Sequence, residues 1–271
     1  MLELLTFVAG VAAGALGAML GIGGGVLLVP LLNAGMGLEF KRAAAVSLVG
    51  VLATSASMAA GPPALRLNSR LALVLLMFSV LGATAGASLI EHLTAGQSEL
   101  IFGLTAALIA TAMIVRLDRR NIIHGFVDTG ALGGRVFDED TQTEVAYRVQ
   151  RLPVALSVSA GAGMIASIVG VGGGILIVPA LNAWCGVPMR VAAATSAFMI
   201  GITALPGVIA HGAGGWLGSY ELAAAAALGV FAGFRLGSRA GPAAQVRWLK
   251  MLMAAVLVGV AVEYLFLKRF L

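Results

Sequence analysis

Gly21-Ile22-Gly23-Gly24-Gly25-Val26-Leu27-Leu28-Val29-Pro30-Leu31-Leu32-Asn33 returns 149 residues later as Gly170-Val171-Gly172-Gly173-Gly174-Ile175-Leu176-Ile177-Val178-Pro179-Ala180-Leu181-Asn182, without a gap in register. Each copy closes one long apolar run and opens another. Glycine interrupts a helix, and backbone freed at membrane depth has no water to bond. Such a break must be buried in protein or line a wet cavity. Two copies in one chain predict two homologous halves, each built around its own break.

Composition supports the membrane setting. The 271 residues are 60% hydrophobic and 11% charged, with a mean hydropathy of +1.01; soluble domains carry roughly 25% charged residues. The net charge of +5 is read as orientation in the bilayer rather than as nucleic-acid binding, because Lys and Arg favour the cytoplasmic side. One cysteine, Cys185, leaves no internal disulfide to form. Residues 1–20 lack the basic start of a signal peptide, so this first apolar segment is expected to be retained.

About 20 apolar residues cross the hydrocarbon core. By that measure Leu4–Leu20, Ala43–Ala60, Leu71–Leu93 and Leu100–Val115 are crossings in the first half, and Val26–Met36 is a short segment after the break. The third segment is expected to end at Pro62-Pro63, since proline cannot supply a helical N–H. The second half replays this plan with Pro153–Val169, Ile175–Trp184, Arg190–Ala210, Leu222–Gly237 and Val246–Leu267. His211 and Trp216 are read as lying in a short Gly-rich loop at a membrane interface, the tryptophan as an anchor. Between the halves the chain turns polar and charged. Arg135-Val136-Phe137 and Val145-Ala146-Tyr147-Arg148-Val149 alternate around Asp138-Glu139-Asp140, the pattern of a small β-hairpin. The expected organisation is a first membrane repeat over 1–116, a cytoplasmic linker over 117–151 and a second membrane repeat over 152–271.

Each break either kinks one long helix, which makes the halves parallel, or folds it into a hairpin, which makes them inverted. The hairpin arrangement leaves Lys41, Arg42, Lys268 and Arg269 on one side and the other thirteen of the 17 Lys and Arg on the linker side. The kinked arrangement divides them ten to seven. Positive charge collects on the cytoplasmic side, so the better separation favours an all-α polytopic protein of inverted repeats. Each repeat then has a Gly-broken first helix or hairpin and three further membrane helices, and both termini lie outside.

A dinucleotide fingerprint needs glycine at the sixth position after a strand; Val26 and Ile175 stand there, inside helical sequence. Two other uses of the glycines remain. Gly10, Gly14, Gly17, Gly21 and Gly25, like Gly229, Gly233, Gly237 and Gly241, have the small-xxx-small spacing of packed membrane helices. Gly23, Gly24 and Gly25, and likewise Gly172, Gly173 and Gly174, also stand just before a helix. The first N–H groups of a helix lack internal partners and carry the positive end of its dipole. Glycine lets a small anion come close to them.

Acidic residues fall near segment ends or in the linker, never in the middle of a crossing. A cation carrier would be expected to place a carboxylate there, so a neutral or anionic substrate is favoured. Matching polar pairs could complete its site: Asn33 with Asn182, Ser47 with Ser196, and Thr54 with Thr203, beside Thr195. The competing reading is that the hydroxyls bond their own helices and that the asparagines end the short helices. Arg235, between Gly233 and Gly237, could contact an anion or snorkel to the cytoplasmic rim.

The paired Gly-Ile/Val-Gly-Gly-Gly-x-Leu-x-Val-Pro-x-Leu, with Ala194-Thr195-Ser196 and the Gly-x-x-x-Gly helices near residues 82 and 229, resembles the sulfite exporter TauE/SafE family. The resemblance covers both halves. It implies movement of small, often sulfur-containing anions such as sulfite, sulfoacetate or related organosulfonates. The first half keeps Ser47 in Ala45-Val46-Ser47 but lacks the threonine, and Pro62 stands opposite His211, so the half-sites need not be equivalent. The expectation is a secondary transporter of the cell membrane, bacterial inner membrane, that works by alternating access. Its partners would be a small anionic substrate, the lipid bilayer and a coupling ion, proton or sodium; no cofactor, metal or nucleic acid is called for, and the oligomer is left open. The alternatives are an anion-selective channel and a carrier of a small non-sulfur carboxylate. An enzyme is disfavoured, because no Ser-His-Asp set, paired carboxylates or metal cluster is evident.

Overall fold

The computed structural model describes residues 1–20, 23–60, 67–115, 129–138, 143–240 and 246–267. In the first half α1 (Leu2–Leu20) is followed by α2 (Gly25–Pro30), which runs into a wider π turn over Leu31–Gly35. Then come α3 (Phe40–Ala59), α4 (Ser69–Leu89) and α5 (Ala95–Val115). The second half holds α6 (Leu152–Val169), α7 (Gly174–Ala183), α8 (Met189–Ala213), α9 (Tyr220–Ala240) and α10 (Val246–Val262), which ends in a π turn over Glu263–Leu267. Among the described residues five helices are long and apolar enough to cross a membrane, and shorter apolar helices cover Gly25–Gly35, Ala95–Thr111 and Ala254–Phe266. The chain is an all-α polytopic membrane protein.

Helix ends differ from expectation by a few residues. α3 begins at Phe40 rather than Ala43, so Lys41 and Arg42 belong to its first turn, and it ends at Ala59. Pro62-Pro63 lies outside the described residues. α8 runs on to Ala213, so the expected loop position of His211 is corrected. It sits in the last turn of a helix and is buried, because the apolar run continues past Ala210 and glycines end it only at Gly214.

Each break is a hairpin. Gly24 stands against Ala13, where an added Cβ would lie 3.2 Å from the carbonyl oxygen, and Gly173 stands against Ala162 in the same way, at 3.3 Å. In an unbroken helix residues that far apart in sequence are about 16 Å apart. The chain therefore turns back along the helix it has just left. Positive φ at Gly23 (80°), Gly170 (80°) and Gly172 (74°) makes the reversal possible, a conformation that costs a Cβ-bearing residue.

Packing repeats between the halves. α1 runs parallel to α9, and α6 runs parallel to α4. Gly229, Gly233 and Gly237 lie in step against Phe7, Val11 and Ala15, where any Cβ would stand 2.1–2.3 Å from a carbonyl oxygen. Gly82 and Gly86 meet Ala160 and Met164 with 1.8 and 2.3 Å of clearance. These are small-residue seams where backbones touch. α3 and α8, which occupy equivalent places in the two halves, run antiparallel: Ser55 lies at Gly201, and Leu48 at Gly207.

The linker forms the expected hairpin, β1 (Gly134–Asp138) antiparallel to β2 (Thr143–Tyr147), with Val136 opposite Val145. Its turn at Glu139 and Asp140 lies outside the described residues. Tyr147 is buried and packs with Leu71, Ile177, Cys185 and Val191, which docks the hairpin over the starts of α4 and α8.

Candidate functional site

The two hairpin breaks meet. A Cβ on Gly25 would lie 2.8 Å from Val171 O and 3.1 Å from Gly170 O, so the start of α2 rests on the backbone of the second break. Val51 on α3 and Ile200 on α8, themselves 149 residues apart, wall the junction. Val51 reaches Gly25 and Gly172, and Ile200 reaches Gly23. Gly23, Gly24, Gly25, Gly172, Gly173 and Gly174 are all buried. Of the predicted glycines, Gly25 meets the second break directly, Gly25 and Gly172 share the Val51 side chain, and Gly24 and Gly173 pack against their own preceding helices.

Ser47 joins the breaks. Its hydroxyl donates to Gly170 O at 2.7 Å and lies 3.2 Å from Gly25 O. Ser196, its counterpart on α8, is fully buried, and its Oγ has no hydrogen-bond partner. The equivalent contact would fall at residue 21, outside the described residues. A buried hydroxyl without a partner costs about 1–3 kcal/mol, and Ser196 Oγ is such a group.

The other predicted residues separate. Asn33 Nδ2 donates to Leu38 O at 2.6 Å, and Asn182 Nδ2 donates to Val187 O at 3.0 Å. Both asparagines stitch the end of a short helix to the strand of chain that leaves it. Tyr264 also donates its hydroxyl to Asn33. Thr54 turns to Gly50 O of its own helix at 3.3 Å, whereas Thr203 meets Ser79 of α4 at 3.0 Å. Arg235 donates to Ala60 O at 2.9 Å and faces Phe231, at the linker-side rim rather than at the junction.

Thr195 accepts the Asn68 backbone N–H at 3.4 Å and leads away from the centre to a cavity of about 240 Å³ under the linker hairpin. Asn68, Arg70, Arg135, Tyr147 and Val191 are among its lining residues. Val191 and Ile200 are nine residues apart on α8, so cavity and junction lie roughly 13 Å apart. Asn68 fixes the floor: its Oδ1 caps α4 through Leu71 N–H at 3.0 Å, while Nδ2 donates to Leu132 O at 2.7 Å and Tyr147 OH at 2.9 Å. Burial holds the Tyr147 phenol above its ordinary pKa, partly offset by that bond from Asn68. Sequence reasoning missed Asn68, Val51 and Ile200. The unbroken repeat register could have paired the last two; nothing in the local sequence marks the first.

A doubled hairpin of this sequence, placed at the centre of a two-part helical membrane protein, is reflected in comparisons with known proteins. The sulfite exporter TauE/SafE family matches residues 6–264. The chain belongs to the sulfite exporter TauE/SafE family. It is 25% identical over 267 residues, 96% of each chain, to the "Probable membrane transporter protein YunE" of Bacillus subtilis (strain 168). No solved structure matches it. As a TauE/SafE member the chain is a multi-pass membrane transport protein and not an enzyme.

Proposed function

We propose that this protein is a secondary transporter of a small anion, a sulfur oxyanion or organosulfonate such as sulfite or sulfoacetate, and that the substrate binds where the two glycine hairpins meet. The observation that carries the reading is the contact of Gly25 with Gly170 and Val171 at the centre of the molecule. The start of α2 rests on the turn that leads into α7, and helix starts favour negative charge. Ser47 bonds the second break, and its counterpart Ser196 has a buried Oγ that lacks a partner. Arg235, at the rim, would gather anions rather than bind them.

Antiparallel packing of the equivalent helices α3 and α8 supports inverted repeats over 1–116 and 152–271, with the linker on the cytoplasmic side. A diad that reverses a helix lies across it, so it lies in the membrane plane if α3 spans the bilayer. Contact between the breaks supports a carrier, which exposes its site to one side at a time, over an open pore. An ion gradient, proton or sodium, would drive it.

Flux in proteoliposomes tests the reading. The panel is sulfite, thiosulfate, sulfoacetate and a small carboxylate without sulfur. Saturable flux of a sulfur anion is expected; absence of flux and of binding across the whole panel defeats it. Single-channel currents would make the protein a pore, and preference for the carboxylate would change the substrate class.

A further inference from the structure

Lys41, in the first turn of α3, is buried although it carries a charge. Its ammonium donates to Ile90 O at 3.1 Å and lies 4.2 Å from the centre of the Trp216 ring. It has no ion-pair partner among the described residues, and Glu39 and Glu91, the acids next to these elements, are exposed. An ammonium has three protons to donate, and a buried cation is costly unless it is paired. Beyond the bond to Ile90 O, the ammonium has protons for which no acceptor is described.

Next to that ring lie polar groups that are incompletely bonded. The Trp216 ring meets the His211 imidazole edge-on at 5.6 Å and 71°. His211 Nε2 lies 3.1 Å from Ser167 O. A carbonyl can only accept, so Nε2 carries the proton, and Nδ1 of the neutral ring is a lone pair that needs a donor. His211 Nδ1 and Ser167 Oγ are both buried without a hydrogen-bond partner, and His211 and Ser167 are each 0% exposed. Ser167 stands three residues before Gly170, so the cluster adjoins the second break on the face opposite the linker hairpin. The repeat-related positions keep only the charge: Arg190 stands where Lys41 does, but Ala18 where Ser167 does and Pro62 where His211 does.

We propose that Lys41, Ser167 and His211 form a second binding station for the transported anion, next to the second break, and that its guest is a monoprotonated oxyanion. Acceptor oxygens would take protons from the ammonium and the Ser167 hydroxyl, while the guest's own O–H would donate to His211 Nδ1. The repeat-related positions lack the serine and the histidine, so one face alone has this station, which gives the carrier a polarity its repeat symmetry lacks. The inference rests on the anion-carrier reading, and its test separates the two.

Trp216 touches the station and reports on it. In the full chain with Trp184→Phe and Trp248→Phe, Trp216 fluorescence is titrated with sulfite near neutral pH, where the monoprotonated form is present, and with sulfate, which carries no proton there. A saturable response to sulfite, absent with sulfate, is expected. Its apparent affinity should fall about tenfold in Lys41→Gln, the loss of one charge-assisted hydrogen bond, and recover in part in Lys41→Arg. Sulfite flux without a Trp216 response overturns the station and leaves the carrier. A response without flux keeps the station and overturns the carrier. An equal response to sulfate overturns the protonated guest, and an unchanged affinity in Lys41→Gln overturns the role of the ammonium. Should the tryptophan variants fail to fold, KM for sulfite offered from the face opposite the linker is compared between the native chain and Lys41→Gln. A tenfold rise is expected there, and no rise overturns the proposal.

Discussion

Ser47 Oγ in the first half donates to Gly170 O in the second, at 2.7 Å, from a residue 123 positions earlier in the chain. One hydroxyl thereby ties helix α3 to the opposite glycine break. Removing it in Ser47→Ala leaves a buried carbonyl short of its donor, at a cost of about 1–3 kcal/mol. A lower unfolding temperature in detergent and a weaker substrate affinity are expected together; an unchanged protein would show that the bond is incidental.

Gly25 has no room for a side chain, since a Cβ would meet Val171 O at 2.8 Å. Gly25→Val should part the two hairpins and abolish flux. Gly35 has open space around its Cβ position and an ordinary φ, so Gly35→Ala should retain flux. Proteoliposome assays on both, after size-exclusion chromatography to show that each is folded, decide whether the loss is specific to the junction.

Inverted halves place the chain's end on the face opposite the linker. A cysteine added after Leu271, in a Cys185→Ser background, should react with an impermeant maleimide from outside intact cells. Reaction only after the cytoplasmic face is opened would defeat the inverted arrangement.

Arg235 spends its guanidinium on Ala60 O at the rim. Arg235→Gln should raise KM less than about threefold and flatten the dependence of flux on salt, as loss of a rim charge does. A tenfold or larger loss of affinity would move Arg235 into the binding site.

Tyr147 holds the linker hairpin down through the hydrogen bond from Asn68, and its phenol ionises at higher pH in the folded chain than in the unfolded one. The unfolded phenol loses its proton first as pH rises through about 10. Stability from this residue is thus complete below that pH and declines above it. Proteolysis of the linker should accelerate above about pH 10 in the native chain, and Tyr147→Phe should remove this part of the pH dependence.

The sequence by itself determined the membrane class, the doubled glycine stretch, the position of nearly every helix and the β-hairpin between residues 134 and 147. Those follow from local signals: runs of apolar residues, glycine and proline interruptions, and a repeat in strict register. The distribution of basic residues already favoured hairpin breaks; tertiary structure decided what each break lies against, that α3 and α8 touch while running in opposite directions, and which carbonyls the asparagines bond. It also put Lys41, Ser167, His211 and Trp216 in one cluster, though they come from α3, α6 and the end of α8. Hydropathy along a chain records how deeply each segment is buried, but not which buried segments touch. That choice is made by backbone approach at glycine seams and by the pairing of polar groups over a hundred residues apart.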